Sequence, residues 1–513
     1  MISRDRLWAA AAELARHHKH ADTPSELESL RYLERELAAA GYATELILHD
    51  AYISLPGAAV VEAGGERIRA ITHSFSRPTD GLEGTIGVDV LRFDGLATPA
   101  AALAARAAGA KAHVHVSPYE HLHEMCISPV WGSPDDVTRA ELPTAVAVSV
   151  PRSAAPLLPD GARVRIVAEV DTGWRATPIL VAELADPGEP FVLLSGHHDA
   201  WYAGAMDNGG ANATMLEVAR ACAARRDRWR RGLRVAFWSG HSQGRYSSSA
   251  WYADHHWEEL ELRAVAHVNV DSTGGRGNTD VTRTTSSAEL RALAAEALAV
   301  CAGQDGGRRR MQRAGDQSFW GIGVPSVFGN MGQQPPDPGR VGVGFDTGWW
   351  WHTPDDTLDK LDLDVLERDT RIYEHVVRRL LEAEVPPLDF AATGRELHAV
   401  LEERAAAGVD VARCLERARA LVERAERFAA APVADASAAW ECLRRVSRAV
   451  VPVDYTLGDR FAHDPALAQP ALPSLAGDPH DPFAAVRLVR AANRVAVALR
   501  DAVAAYDEYL RDA

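Results

Sequence analysis

The chain has 513 residues, room for two or three domains, and its 47% hydrophobic and 25% charged fractions are those of an ordinary soluble protein. Lys plus Arg at 55 against Asp plus Glu at 71 leave a net charge of −16, which argues against a nucleic-acid partner. No window approaches the ~20 consecutive apolar residues of a membrane helix. The five cysteines are widely scattered and form no Cys-x-x-Cys pair, so a cysteine metal cluster is excluded. With an N-terminus that carries charges throughout and lacks the pattern of a signal peptide, they point to a cytoplasmic chain with reduced thiols.

Thr23-Pro-Ser-Glu26 joins an N-cap, a proline at the first helical position and a capping-box glutamate. The spacing predicts a helix with Leu27, Leu30, Leu33 and Leu37 on one face, ending near Gly41. Strand-like stretches at 44–49 and 51–56 complete the first part of an α/β domain, residues 1–56. Residues 57–174 change character. Strands are expected at 84–91, 112–116, 146–150 and 162–167 with one Ala-rich helix at 98–109, an inserted β-rich domain. Its His113, His115, His121 and His123 have no acidic cluster nearby and read as satisfied or solvent-facing side chains.

The α/β pattern returns over residues 175–385. After a strand at 179–184, Phe191 to Leu194 are four apolar residues bounded by Ser195-Gly196, the mark of a strand buried on both faces of a parallel sheet. His197, His198 and Asp199 follow at its carboxyl end, and Asp207 sits in a glycine-flanked turn feeding a helix with Ala213, Leu216 and Ala219 at helical spacing. Open α/β sheets bind ligands outside the carboxyl ends of their strands. Imidazole and carboxylate gathered there suit a divalent metal, zinc first. Leu233 to Trp238 is a strand running into Ser239-Gly-His-Ser-Gln-Gly-Arg-Tyr246, and Ala264 to Val270 is another, with Asp271 at its end. Ser286-x-x-Glu289 reads as a capping box. A short strand at 324–328 precedes a long Gly/Pro loop, Gly329 to Gly348, of the kind used as a lid or binding loop, and then Trp349-Trp-Trp-His352. Strands alternating with helices imply a doubly wound, mostly parallel sheet. Residues 386–513 are helical, and the apolar faces of the last helix, Val486, Val489, Val495 and Leu499 among them, exceed what its own core needs. That suggests a homodimer surface.

His197-x-Asp199-Ala-Trp, Met206-Asp-Asn208, Val268-Asn-Val-Asp271-Ser and Trp351-His-Thr-Pro-Asp-Asp-Thr357 together resemble the metal motifs of a co-catalytic zinc peptidase family. That family includes aminopeptidases, glutamate carboxypeptidase and the transferrin receptor. The likeness extends over nearly the whole chain, with residues 57–174 similar to a protease-associated domain. The resemblance implies that His197 and Asp271 hold one zinc, His352 a second, and Asp207 bridges them. Asp199 would orient His197 through its other ring nitrogen, with His198 beside it. The family then has a Glu-Glu pair, of which the first is the general base and the second a metal ligand. Here those positions are His241 and Ser242. Asp207 and Asp271 alone balance one divalent ion, so one firmly held zinc is expected, with a second only if His241 turns inward as a ligand. His241 would otherwise act as the base, while Ser242, Arg245 and Tyr246 follow as candidate second-layer or substrate contacts. The expected function is metal-dependent hydrolysis of an amide or peptide-like bond in a small molecule or short peptide. Other metal-dependent chemistry (acyl transfer, cyclisation or a lyase reaction) and a non-catalytic dimeric binding protein stand as alternatives.

Overall fold

The computed structural model describes residues 1–336 and 346–512, so the middle of the long Gly/Pro loop lies outside the described residues. One hydrogen-bonded sheet runs through most of the chain. Its first strands are β1 (Ala43–Ala63), β2 (Glu66–Thr72), β3 (Thr79–Thr85), β4 (Val90–Asp94), β5 (Ala112–Val116), β6 (Val146–Val150) and β7 (Arg163–Leu184). The others are β8 (Phe191–His197), β9 (Gly232–Trp238), β10 (Ala264–Asn269) and the short β11 (Thr285–Ser286), β12 (Arg309–Arg310) and β13 (Ser326–Val327).

The parallel block that carries the site is β13-β10-β8-β9, and β4, β5 and β6 pair in parallel in the inserted region. β7 then joins β9 antiparallel and pairs with β1 in the same sense, so the α/β fold is mixed at this edge. The sequence pattern puts strand-like stretches at 44–49 and 51–56, ending at Pro56. Instead β1 continues to Ala63, and a register irregularity between Pro56 and Ala59 absorbs the proline. The expected strand at 84–91 is the end of β3, a turn at Gly87 with φ of 83°, and the start of β4.

In the parallel block the period of two is visible side chain by side chain. Val192, Leu194, Val235 and Phe237 pack in one layer, whereas Phe191, Leu193, Ala236 and Trp238 pack in the other. The first layer is closed by helices α1 (Arg4–Leu14) and α2 (Pro24–Ala39), with α3 (Pro99–Ala107) lying in the inserted region and α4 (Ala211–Ala223) over β8. α2 starts where its sequence predicts, with the Thr23 side chain accepting from the Glu26 N–H and Glu26 reaching back to the Asp22 N–H at 3.0 Å. α5 (Ser247–His255) and α6 (Trp257–Arg263) cover the opposite face, whereas α7 (Arg291–Ala302) and α8 (Leu363–Glu382) pack in the first layer. The capping box at Ser286 is not used. Ser286 belongs to β11 and its hydroxyl donates to the Gly307 carbonyl, while Glu289 accepts from Thr393 Oγ1 at 2.7 Å.

The inserted region has its own apolar core, including Val61, Val90, Val114, Val148 and Ile166. His113 and His115 lie in its interior rather than facing solvent; they bond to each other at 2.9 Å and each leaves one ring nitrogen unpartnered. The C-terminal helices are α9 (Phe390–Ala406), α10 (Ala412–Ala430), α11 (Ala436–Tyr455) and α12 (Pro482–Asp512). Val495 and Leu499 are buried among them, whereas Phe483, Val486 and Val489 face solvent. Among the described residues no helix is long and apolar enough to cross a membrane.

Candidate metal centre

β8 ends at His197, buried beside a cleft of about 340 Å³ at the carboxyl ends of the parallel strands that Asp207, His241, Asp271 and His352 line. The preceding residue has to be glycine, because a Cβ at Gly196 would stand 2.3 Å from the Val270 carbonyl oxygen. The His197 Nδ1–H donates to the backbone carbonyl of Asp199 at 2.7 Å, leaving Nε2 toward Asp207 Oδ1 at 3.1 Å and Asp271 Oδ1 at 3.7 Å. The other oxygen of Asp207 lies 3.1 Å from His352 Nε2, so one carboxylate spans two imidazoles. His352 Nδ1–H donates to the Glu124 carbonyl at 2.6 Å. Asp356 accepts from the Met206 and Asp207 N–H groups at 2.9 and 3.0 Å and fixes the turn.

Asp199 acts differently from the expectation. Its carboxylate lies 4.0 Å from His197 Nδ1, and its backbone carbonyl orients the ring instead. The buried carboxylate takes the N–H groups of His241 and Ser242 at 3.0 and 2.8 Å, clamping the loop after β9 onto the end of β8. His198 is not a cleft residue. Its ring is fully buried between Ser29 Oγ at 2.6 Å and Asn212 Oδ1, and burial pulls its pKa to about 3.

His241 turns inward. Its ring stacks on that of His197, with centroids 3.8 Å apart and planes 14° apart. Its Nδ1 lies 2.9 Å from Asp316 Oδ2, so Nε2 is the ring nitrogen left free. Asp316 is a fully buried acid held also by Ser249 Oγ at 2.8 Å; a lone aspartate in a Gly-containing loop gives no sequence signal, and its role shows only in the fold. One ligand atom each from His197, His241 and Asp271 lie within 4.8 Å of one another, the one such cluster among the described residues. Ser242, Arg245, Tyr246, Trp351 and Arg313 line the cleft above them.

The electrostatics suit a cation. Burial pulls the His197 imidazolium down, but Asp207 and Asp271 outweigh it and hold its pKa well above the ordinary value. Burial pushes Asp207 up, but His197 and His352 outweigh that and hold it well below. For Asp316, burial is again opposed by His241, which holds the carboxyl below its ordinary range. His197, His241 and Asp271 converge and Asp207 lies against His197, a donor set that fits a divalent ion such as zinc.

Residues 180–377 match the sequence profile of peptidase family M28. Over that stretch the α/β domain is similar to an M28 peptidase domain, and its His197, His241 and Asp271 form an atypical metal cluster. The chain is 36% identical over 84 residues to a probable glutamate carboxypeptidase, VP8, of Zea mays, a match covering 16% of this chain and 12% of that protein. It is 33% identical over 94 residues to the probable glutamate carboxypeptidase LAMP1 of Arabidopsis thaliana, covering 18% and 14%. The matches therefore span only a small part of these curated relatives. The fold is similar to that of the zinc aminopeptidase of Bacillus subtilis, with a TM-score of 0.58 at 17% identity over 75% of this chain and 96% of that one. An aminopeptidase from Aneurinibacillus sp. strain AM-1 gives 0.53 at 18% identity, over 74% and 94%.

Proposed function

We propose that this chain is a metal-dependent hydrolase of an amide or peptide-like bond, working with one divalent ion, zinc by preference. The carrying observation is the convergence of His197, His241 and Asp271 at the strand ends, with Asp207 against His197 and His241 and Asp271 open to the cleft. His197, Asp207 and Asp271 would hold the ion, and their two negative charges balance it. His352, which touches Asp207 alone, would serve a second, weaker position. A bound ion would supply Lewis-acid polarisation of the substrate carbonyl and make a nucleophile of water near neutral pH. His241 Nε2 receives the proton given up in the attack, and Asp316 on Nδ1 stabilises the resulting imidazolium and fixes the ring. The same His241 N–H returns the proton to the leaving amine.

The inserted region acts as a protease-associated-like wall of the cleft, since Met125 and Cys126 line it. The division at residues 56, 174 and 385 is retained as the functional one. The exposed Phe483, Val486 and Val489 on α12 would meet a second copy in a homodimer. The net charge of −16 speaks against nucleic acid, and free cysteines are in keeping with the cytoplasm.

Metal analysis of protein purified without chelator, with a panel of acylated amino acids and dipeptides, tests this. One zinc per chain with hydrolysis, and a His241→Gln variant that keeps the metal but loses turnover, is the expected result. Loss of the metal in that variant would make His241 a ligand rather than the base. A metal-free native protein without turnover would leave a binding protein.

A further inference from the structure

The turn between β8 and α4, which carries Asp207, and the loop after β9, which carries His241, both rest on the irregular stretch between α1 and α2. The Ala21 N–H donates to Gln243 Oε1 at 3.0 Å, and the Tyr202 N–H donates to His20 Nε2 at 3.3 Å. Lys19 contributes most, with three of its groups on residues 200–203. Its N–H donates to the Tyr202 carbonyl at 3.0 Å, its carbonyl accepts from the Ala200 N–H at 2.7 Å, and its ammonium donates to the Ala203 carbonyl. The same ammonium donates to the carbonyls of Leu14 at 3.1 Å and His17 at 3.4 Å, so it also closes the C-terminal end of α1.

Lys19 is wholly buried. Four buried acids, Asp356, Glu26, Asp207 and Asp199, face it as opposite charges, but among the described residues its ammonium bonds only to main-chain oxygens. Lysine occurs three times in the chain, as Lys19, Lys111 and Lys360, and the rest of the 55 basic residues are arginine. The exception has a geometric reason. An ammonium is compact and sends three donors out tetrahedrally to converging carbonyls, where a guanidinium holds its donors in one plane.

What the ammonium holds is strained and close to the metal ligands. Tyr202 has φ of 59°, a left-handed conformation that a non-glycine residue keeps only under constraint. Gly204, next to the pinned Ala203, packs directly on Asp207, and a Cβ there would stand 2.3 Å from the Asp207 carbonyl oxygen. Asp356 holds the far end of the turn through the Met206 and Asp207 N–H groups.

We propose that Lys19 is a positioning residue of the metal centre, splinting residues 200–203 and through them setting where Asp207 stands beside His197. This rests on the metal-dependent hydrolase reading for what Asp207 does. A splint and a mere charge predict opposite signs. An ammonium near a cation site repels the ion, so by electrostatics alone its removal would tighten zinc binding. Loss of a splint lets Asp207 stray and weakens it.

The test is zinc affinity by competition against a chelator dye, on the native chain, Lys19→Met and Lys19→Arg, with far-UV circular dichroism to show that the variants are folded. Both variants are expected to bind zinc about 10–100-fold more weakly, the usual loss when a group supporting a metal ligand is removed, although arginine keeps the charge. Tighter zinc in Lys19→Met with no change in Lys19→Arg reduces Lys19 to a charge and overturns the proposal. A lower melting temperature with native zinc affinity makes it a merely structural lysine and overturns it too. Should the variants fold poorly, the native chain decides. With its three lysines isotope-labelled at the side-chain nitrogen, one ammonium resonance should be shielded from solvent exchange, and its absence removes the splint. Zinc binding that depends on Lys19 without any amide hydrolysis would sink the hydrolase reading and leave the positioning role standing. A native chain that takes no zinc sinks both.

Discussion

His352 and Glu124 are joined by a reciprocal pair of hydrogen bonds: the His352 Nδ1–H donates to the Glu124 carbonyl at 2.6 Å, and the Glu124 N–H donates to the His352 carbonyl at 3.0 Å. Next to them His123 Nδ1–H donates to the Trp351 carbonyl at 2.6 Å. The inserted region thus sets the orientation of an imidazole supplied from 228 residues further along the chain. Its contribution is made by main chain and by His123, a residue that spacing alone reads as incidental.

The Glu124 side chain gives the first prediction. Burial pushes its carboxyl from 4.5 to about 8, with one oxygen accepting from the Tyr202 hydroxyl at 3.0 Å and the other unpartnered. A carboxyl raised in the folded state holds a proton that the unfolded chain has already lost. Stability therefore falls as pH climbs from about 4.5 to about 8, by roughly 3–5 kcal/mol for a shift of this size. Glu124→Gln keeps the shape and the Tyr202 contact but cannot ionise. Denaturant melts of the variant should be flatter across that window and more stable than the native chain at its upper end. An unchanged slope would remove Glu124 as its source.

Asp316 gives the second. It fixes His241, the proton acceptor, through Nδ1, so Asp316→Asn should let the ring reorient and lower turnover about 10²–10⁴-fold, the usual contribution of a positioned acid–base group, while zinc stays bound. Steady-state kinetics beside competition against a chelator dye separates the two, and a variant that instead lost its zinc would make His241 a ligand. Ser249→Ala, which removes only the hydroxyl on the other Asp316 oxygen, should cost far less.

What the sequence displays and what it hides divide along chain distance. His197, Asp207 and Asp271 are legible because each follows a buried strand or its turn, and period and local spacing put them at one end of the sheet. Asp316 and Glu124 are illegible. Each lies in irregular chain, and its partner is 75 residues away for Asp316 and 228 for Glu124. The long β1–β7 ribbon was hidden for a different reason. Pro56 reads as a strand end, and only the pairing register shows a local irregularity absorbing it.

Protons and zinc compete for the same atoms, which sets the third prediction. His197, raised in the metal-free fold, contributes stability that is full below its unfolded value and lost as pH rises through the raised one. Asp207, depressed, contributes stability present above its unfolded value and lost as pH falls through the depressed one. Zinc must displace the His197 proton, so the rise in Tm on adding zinc should be greater at about pH 8 than at about pH 6, with proton release measurable by calorimetry in two buffers. A zinc-induced shift that shrinks toward alkaline pH would contradict this assignment of the ligands.

The last prediction concerns the missing acid. Asp207 and His352 lie 3.1 Å apart but have no third ligand, and Ser242 lines the cleft beside them. Its N–H already rests on Asp199 at 2.8 Å, which fixes the backbone at this position. A carboxylate introduced by Ser242→Glu would project from that fixed backbone into the cleft and bring the third negative charge that two divalent ions need. Metal analysis should then move from one zinc per chain to two, and the second ion should be lost on further changing His352→Ala while the first is kept. Two ions already present in the native protein would mean that His241 completes the second position, and its Nε2 could not then serve as the proton acceptor. A variant that still holds one ion would show that the carboxylate cannot reach, and that the pair Asp207–His352 serves only to hold Asp207 against His197.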